Sequence, residues 1–287
     1  MSVIAVTGSA GGMGQALRKR LEGQGHQVVG IDRRDAEVEV DLGTDEGRGA
    51  MVAEVTSRCG GALDGLVVAA GIYKGLAPDI VSVNYFGAVA ALSGLRPLLA
   101  AADQASAVAV CSNSMTTQPG MRTDVVERCL EGDEAGARQL AGADALGAYP
   151  ASKLALARCV RTQAPSPPWI GEGIRLNAIV PGFIDTPMTA GMWSFVDSLG
   201  DIFPIPAGRP GTAEEVAGLI AYLLSPEAGF FVGSLLTMDG GSEAVLRARD
   251  WPVPCHPRPT GEAEATKTVG STRADTGGAS TEGSQRS

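Results

Sequence analysis

An apolar run, Val3-Ile4-Ala5-Val6, passes directly into Thr7-Gly8-Ser9-Ala10-Gly11-Gly12-Met13-Gly14, and a helical pattern follows at 13–23. This order constrains the fold more than any other feature of the chain. β-Branched residues favour an extended strand, and glycines allow a tight reversal into a helix. A strand followed by a helix continues most readily as a right-handed crossover to a parallel neighbour. Further short apolar runs near 27–32, 37–41, 64–70, 107–112, 174–180 and 234–239 alternate with helical patterns at 45–59, 78–101, 150–164 and 212–225. Leu66-Val67-Val68-Ala69-Ala70 is apolar throughout, as a strand covered on both faces must be. The expected fold class is α/β, a doubly wound seven-stranded parallel sheet of Rossmann type with helices on both faces.

One domain is expected over 1–249, with two additions. Residues 118–147 carry a polar, helix-prone stretch from Val125 to Leu140 and read as a helical insertion before the helix near 150. Residues 186–206 contain Pro187, Met188, Met192, Trp193, Phe195, Leu199, Ile202 and Phe203. They read either as an apolar lid over a substrate pocket or as a helix packed on the core. Thr212 and Glu215 have capping-box spacing at the start of the last long helix. From Asp250 the composition turns to Pro252, Pro254, Pro257 and Pro259, then to Gly, Thr, Ser and charged residues, so 250–287 is expected to be a disordered tail.

A formal charge of -9 repels phosphate backbones and anionic lipid, which argues against nucleic-acid and membrane-surface partners. No apolar stretch is long enough to span a bilayer, since Arg96 and Pro97 interrupt the longest helical one. The first residues show no signal-peptide pattern. The five cysteines, Cys59, Cys111, Cys129, Cys159 and Cys255, are scattered with no Cys-x-x-Cys, which fits reduced thiols and a cytoplasmic location. His26 and His256 are the only histidines, so neither a His-ligated metal nor a Ser-His-Asp site is expected, and acid–base chemistry falls to Tyr, Lys or carboxylates.

Two motifs then carry chemistry. Gly8, Gly12 and Gly14, at the mouth of a helix, offer free N–H groups and a positive dipole end to a pyrophosphate. The second strand ends at Asp32, whose carboxylate suits adenosine ribose hydroxyls and repels a 2′-phosphate, so NAD is favoured over NADP; Arg33 and Arg34 argue the other way. Tyr149 and Lys153 stand one helical turn apart in Tyr149-Pro150-Ala151-Ser152-Lys153. A free phenol has a pKa of about 10, and a nearby ammonium favours its anion. Pro150 requires Tyr149 to sit at the start of its helix, because proline is tolerated only in the first turn. Together the two motifs imply dinucleotide-dependent redox chemistry.

On these residues the chain resembles the short-chain dehydrogenase/reductase family from about Val3 to Gly241. Asp41-Leu42 matches the family's adenine-contacting position, and Ala69-Ala70-Gly71 stands where Asn-Ala-Gly is usual. Asn84, in Val83-Asn84-Tyr85-Phe86-Gly87, matches the asparagine that supports a proton relay. Pro181-Gly182-Phe183-Ile184-Asp185-Thr186-Pro187 matches the segment at the nicotinamide carboxamide, and Asp239-Gly240-Gly241 the end of the last strand. More narrowly, Gly30 to Val38, Val81 to Ala88 and the insertion before Tyr149 resemble the bacterial 3α-hydroxysteroid dehydrogenase/carbonyl reductase branch.

The resemblance implies a catalytic serine after the fifth strand, with Ser112 favoured and Ser114 the competitor. It implies that Ser112 holds the substrate oxygen, Tyr149 moves the proton, Lys153 contacts the nicotinamide ribose and Asn84 links Lys153 to solvent. The implied activity interconverts a hydrophobic secondary alcohol and its ketone, with 3α-hydroxysteroids and alicyclic carbonyls as candidate substrates. The family also implies a homodimer or homotetramer. An NADPH-dependent 3-oxoacyl-type reductase and a non-catalytic dinucleotide sensor are the alternatives.

Overall fold

The computed structural model describes residues 1–254, and a separate unit begins at Arg249. Up to Ala248 the chain forms nine strands: β1 (Val3–Thr7), β2 (Gln27–Asp32), β3 (Val38–Glu39), β4 (Gly65–Val68), β5 (Ala105–Val110), β6 (Ile174–Pro181), β7 (Ile184–Asp185), β8 (Gly211–Thr212) and β9 (Leu235–Met238). Helices α1 (Gly12–Gly23), α2 (Asp45–Arg58), α3 (Ala77–Val81), α4 (Ala88–Ala100), α5 (Ser114–Thr117), α6 (Thr123–Leu130), α7 (Glu134–Ala141), α8 (Ala145–Gln163), α9 (Trp193–Ser198), α10 (Ala213–Leu224) and α11 (Ser242–Leu246) fill the connections. The expected tail falls on residues that lie largely outside the described ones; Arg249–Pro254 form neither helix nor strand.

Seven strands make one parallel sheet in the order β3-β2-β1-β4-β5-β6-β9, as the alternation of patterns predicted. β7 and β8 pair separately as a two-stranded sheet that the sequence did not announce. The continuous apolar strands serve two cores. Ala5, Ala107 and Ala109 face one side with Met51, Val55, Leu95 and Leu156, while Ile4, Val6, Val108 and Val110 face the other with Leu17, Leu21, Val216 and Ile220. A period of two places successive side chains on opposite faces, so a strand buried on both must be apolar at every position. The chain winds outward from β1 to β3 and then resumes at β4, on the other side of β1. That reversal leaves a crevice at the carboxyl ends of β1 and β4.

Three local outcomes differ from the sequence reading. The pattern at 78–101 is not one α-helix: residues Ser82–Gly87 form a π-turn between α3 and α4. Nor does the helix of Tyr149 start beside it. α8 begins at Ala145, capped by the Asp144 side chain on Gly147 N, so Pro150 lies inside the helix. A proline there removes the bond to the carbonyl four residues earlier. Gln118 supplies the missing donor, its Nε2 bonding Leu146 O at 2.8 Å.

The insertion, thirdly, is not a polar appendage. Val125, Val126, Cys129, Ala137 and Ala141 of α6 and α7 are fully buried in the same core as the sheet. Asp124, Glu127 and Arg128 occupy the outer face of α6, while Glu134 and Arg138 of α7 bond inward to Arg48 and Ser82; the mixed pattern hid an amphipathic pair.

Candidate active site

The glycine turn is built as its spacing predicted. Gly8 has φ +71°, and a Cβ there would stand 2.7 Å from Ala70 N, so only glycine fits. At Gly14 a Cβ would fall 2.0 Å from Gly8 O, which fixes how tightly strand and helix can meet. Thr7, almost fully buried, ties this turn to the next strand by accepting the N–H groups of Ala69 and Ala70, each at 3.1 Å. α1 opens on Gly11 with no side-chain cap and no acidic residue in its first turn. An uncapped, unscreened helix N-terminus is an anion-binding feature.

This turn forms one wall of a cleft of about 570 Å³. Of the predicted cofactor residues, Gly8, Gly12, Met13, Gly14, Asp32 and Asp41 line it. Leu42, Ala70, Gly71 and Thr186 do so as well. Asp32 is held in place by two backbone donors, Ala10 N at 3.0 Å and Arg33 N at 2.7 Å. Arg33 and Arg34 also line the cleft and are exposed. Size, position at the sheet reversal, free helix end and a carboxylate at the tip of β2 together fit a dinucleotide.

Pro181, Gly182, Ile184, Tyr149 and Lys153 lie outside the cleft lining. Pro181 ends β6 and its carbonyl accepts Asn113 N at 2.9 Å; Gly182 N bonds Met238 O at 3.1 Å. The Ile184 side chain is buried in the second core, and its carbonyl accepts the Thr189 hydroxyl. Thr189 Oγ1 also accepts Thr186 N at 3.1 Å, which fastens the segment that borders the cleft.

Two of the four predicted catalytic residues, Asn84 and Lys153, meet beside Gly71. A Cβ on that glycine would stand 3.3 Å from both Asn84 Oδ1 and Lys153 Nζ. Asn84, fully buried in the π-turn, accepts Ile72 N at 2.8 Å and donates to Ile72 O at 2.9 Å and to Ser152 Oγ at 3.2 Å. The local change of helix pitch is what aims it there. Lys153 is 4% exposed and gives one N–H to Val110 O at 2.9 Å. One turn earlier on α8, the half-buried Tyr149 lies within hydrogen-bonding reach of Ser112.

Ser114 takes a different part: its N–H donates to Ser112 Oγ at 3.3 Å, and its own hydroxyl is buried with no protein partner among the described residues. Asn113, between the two serines, is buried and donates to the Asp239 carboxylate at 3.2 Å. Asp239 also accepts Gly241 N and Glu243 N at 3.0 and 2.8 Å. This buried pair sets the turn that presents Ser112. Sequence reading noted Asp239 only as the end of a strand; an acid before Gly-Gly was the signal available.

The electrostatics correct one expectation. Burial pushes the Tyr149 phenol above its ordinary range, and the Ser112 hydrogen bond pulls it back only in part. Burial likewise holds Lys153 below the ordinary lysine range. Lys153 is directed to Val110 O, and in this structure it is not what lowers the phenol; desolvation outweighs the expected assistance. Next to it Cys111, fully enclosed, is pushed up to about 12 by burial and remains a thiol.

The segment at 186–206 divides its apolar residues between the two expected roles. Val196 is buried, and Trp193 lies against Phe183 with ring centroids 5.9 Å apart. Met188, Phe195 and Ile202 remain exposed, Ile202 by 77%. Tyr73 from the opposite side reaches Met192, its hydroxyl 3.4 Å from Sδ. No helix among the described residues is long and apolar enough to cross a membrane.

Residues 2–123 match the family model for short chain dehydrogenase, and residues 134–243 match the model for enoyl-(acyl carrier protein) reductase. The chain belongs to the short-chain dehydrogenase family and is an oxidoreductase acting on CH–OH groups, with a fold that binds a nicotinamide dinucleotide.

Among its relatives is the 3-alpha-hydroxysteroid dehydrogenase/carbonyl reductase of Comamonas testosteroni, 40% identical over 86% of this chain and 98% of that protein. The cis-4-hydroxycyclohexanecarboxylate dehydrogenase of Sinomonas cyclohexanicum is 30% identical over 85% of this chain and 97% of its own. A crystal structure of the 3-alpha-hydroxysteroid dehydrogenase from Pseudomonas sp. B-0831, complexed with NADH, is 43% identical. It superimposes with a TM-score of 0.78, covering 86% of this chain and 99% of that one.

Proposed function

We propose that the protein is an NAD(H)-dependent dehydrogenase/reductase that interconverts a hydrophobic secondary alcohol and its ketone. The observation that carries this reading is the placing of buried Lys153 and Asn84 against Gly71, which lines the glycine-walled cleft, with the Ser112–Tyr149 pair one turn away along α8. Bound in that cleft, the cofactor supplies or accepts the hydride. Ser112 Oγ holds the substrate oxygen. The Tyr149 hydroxyl gives its proton to that oxygen in reduction and takes it back in oxidation. Lys153 Nζ spends one N–H on Val110 O, leaving two for ribose hydroxyls and a water. Asn84, pinned to Ile72 and Ser152 beside Gly71, links Lys153 to solvent through a water in this reading.

NAD is preferred because the Asp32 carboxylate, fixed by two N–H groups at the tip of β2, suits ribose hydroxyls and repels a 2′-phosphate. Arg33 and Arg34 on the same cleft keep NADPH as the second reading. The exposed apolar side chains Met188, Phe195 and Ile202 favour an alicyclic or steroidal ketone over a phosphorylated one. A cytoplasmic homo-oligomer without nucleic-acid or membrane partners completes the reading, with the chain's net charge of -9 in its support. The test is a screen of the purified protein against 3-ketosteroids, quinones and alicyclic ketones, with NADH and NADPH in parallel. Higher kcat/KM with NADH on an apolar ketone is expected. Preference for NADPH, or turnover confined to carrier-bound 3-oxoacyl substrates, would replace this reading.

A further inference from the structure

Arg48 stands apart from the reacting groups yet is among the most heavily bonded side chains of the molecule. It lies in the first turns of α2 and is only 9% exposed. Its Nε donates to Leu42 O at 2.8 Å, and Nη2 to Ser82 O at 3.2 Å and Gly43 O at 3.5 Å. The carboxylate of Glu134, 86 residues away on α7, grips the guanidinium with both oxygens, at 2.6 and 2.9 Å. Asp45 adds a bond at 3.0 Å but is itself almost wholly exposed. The planar fork suits this pairing, and a lysine could not reproduce it.

What Arg48 holds is the loop at one end of the cofactor cleft. Asp41 and Leu42 line that cleft, and Asp41 Oδ1 closes the loop by accepting Gly43 N at 2.8 Å. The loop leans on the π-turn, since a Cβ at Gly43 would stand 3.3 Å from Val83 Cγ2, and Val83 lines the cleft too. The only support given to the carbonyls of Leu42 and Gly43 by a side chain comes from this one guanidinium, among the described residues. Burial works against ionisation of Glu134, but the hydrogen bonds from Arg48 and Ser82 bring its carboxyl below the ordinary range, so the pair is charged at neutral pH.

We propose that Arg48 is a positioning residue for the dinucleotide: clamped by Glu134 of the inserted helix α7, it holds the Asp41–Gly43 loop in the shape that receives the cofactor's adenine end. The insertion therefore serves cofactor affinity. This rests on the reading of the cleft as the NAD(H) site. Removing the Glu134 charge leaves a buried guanidinium short of partners, and the exposed Asp45 is the nearest alternative. Arg48 would swing toward it and release Leu42 O. Asn84 has its own ties to Ile72 and Ser152, so the chemical step is insulated from the change.

The test is calorimetric titration of the full chain with ADP-ribose, which carries the adenine half of the cofactor and no nicotinamide, alongside steady-state kinetics at saturating NADH. Glu134→Gln, in which an amide N–H faces the guanidinium, is expected to weaken ADP-ribose about 10-fold while kcat stays within about 2-fold. Unchanged ADP-ribose affinity overturns the clamp, and so does an equal fall in affinity and kcat, which would report general softening. If E134Q is recovered unfolded, Glu134→Asp carries the same test: it keeps the charge on a shorter arm, and an unaltered affinity there is equally fatal. Absence of ADP-ribose binding by the wild type would remove the cofactor reading and the clamp together, whereas equal binding by wild type and variant removes the clamp alone.

Discussion

At the residue scale the site depends on a phenol that is hard to ionise. Burial raises Tyr149, and Ser112 is the one group that draws it down. Replacing Tyr149 by Phe deletes the proton and little else, so turnover should fall about 10²–10⁴-fold while NADH binds as before. Kinetics with a fluorescence titration of NADH measure both quantities, and near-normal turnover would sink the assigned role.

Ser112→Ala removes the hydrogen bond that favours the phenolate, so the phenol moves further up. Alcohol oxidation needs the deprotonated form, hence the inflection in its kcat/KM profile should shift to higher pH than in wild type. A shift to lower pH would contradict the Ser112–Tyr149 contact. Tyr149 stood out in the chain by its fixed spacing to Lys153, whereas Ser112 and Ser114 were both open after the fifth strand. Arg48, Asn113 and Gln118 did not stand out, since each acts on a partner far away in sequence and arginine, asparagine and glutamine are ordinary surface residues.

At the scale of elements, local rules placed most boundaries and failed where a side chain from elsewhere intervened. The capping box at Thr212 and Glu215 is formed in both directions, with Glu215 N bonding Thr212 Oγ1 at 3.2 Å and Thr212 N bonding Glu215 at 2.8 Å. Arg209 adds a paired bond and holds the Glu215 carboxyl down at about 2. Thr212→Ala should therefore cost about 1 kcal/mol of stability, read by urea unfolding, with kcat and KM untouched. A change in kinetics would mean that the β7–β8 pair, in which Thr212 stands opposite Asp185 beside Thr186 of the cleft, carries the loss to the site. Pro150 shows the contrary case. By propensity it marks a helix start; in the fold it sits inside α8, because Gln118 takes up the freed carbonyl of Leu146. The π-turn at Ser82–Gly87 was hidden for the same reason: the bonds of Asn84 to Ile72 and Ser152 hold it, and neither partner is local to the turn.

At the scale of the whole molecule up to Ala248, the insertion and the sheet share one core. Val126 of α6 is completely buried there. Val126→Ala should cost about 2 kcal/mol and lower a single thermal transition, because the lobe cannot melt without exposing α8. A separate early transition in calorimetry would show that the lobe folds as its own unit. This answers the question its composition raised: Val125, Val126, Cys129, Ala137 and Ala141 close the core beside the helix that carries Tyr149 and Lys153, while Glu134 turns inward to Arg48.

The sequence by itself determined the parallel α/β sheet, the glycine turn, Asp32 and the Tyr149–Lys153 pair. All of these follow from periodicities and steric or chemical limits that act within a few residues. Tertiary structure alone decided that Lys153 turns to Val110 O, that burial raises the phenol, and that α7 grips Arg48. Those outcomes depend on dielectric surroundings and on partners tens of residues away, and both exist only once the chain has closed on itself.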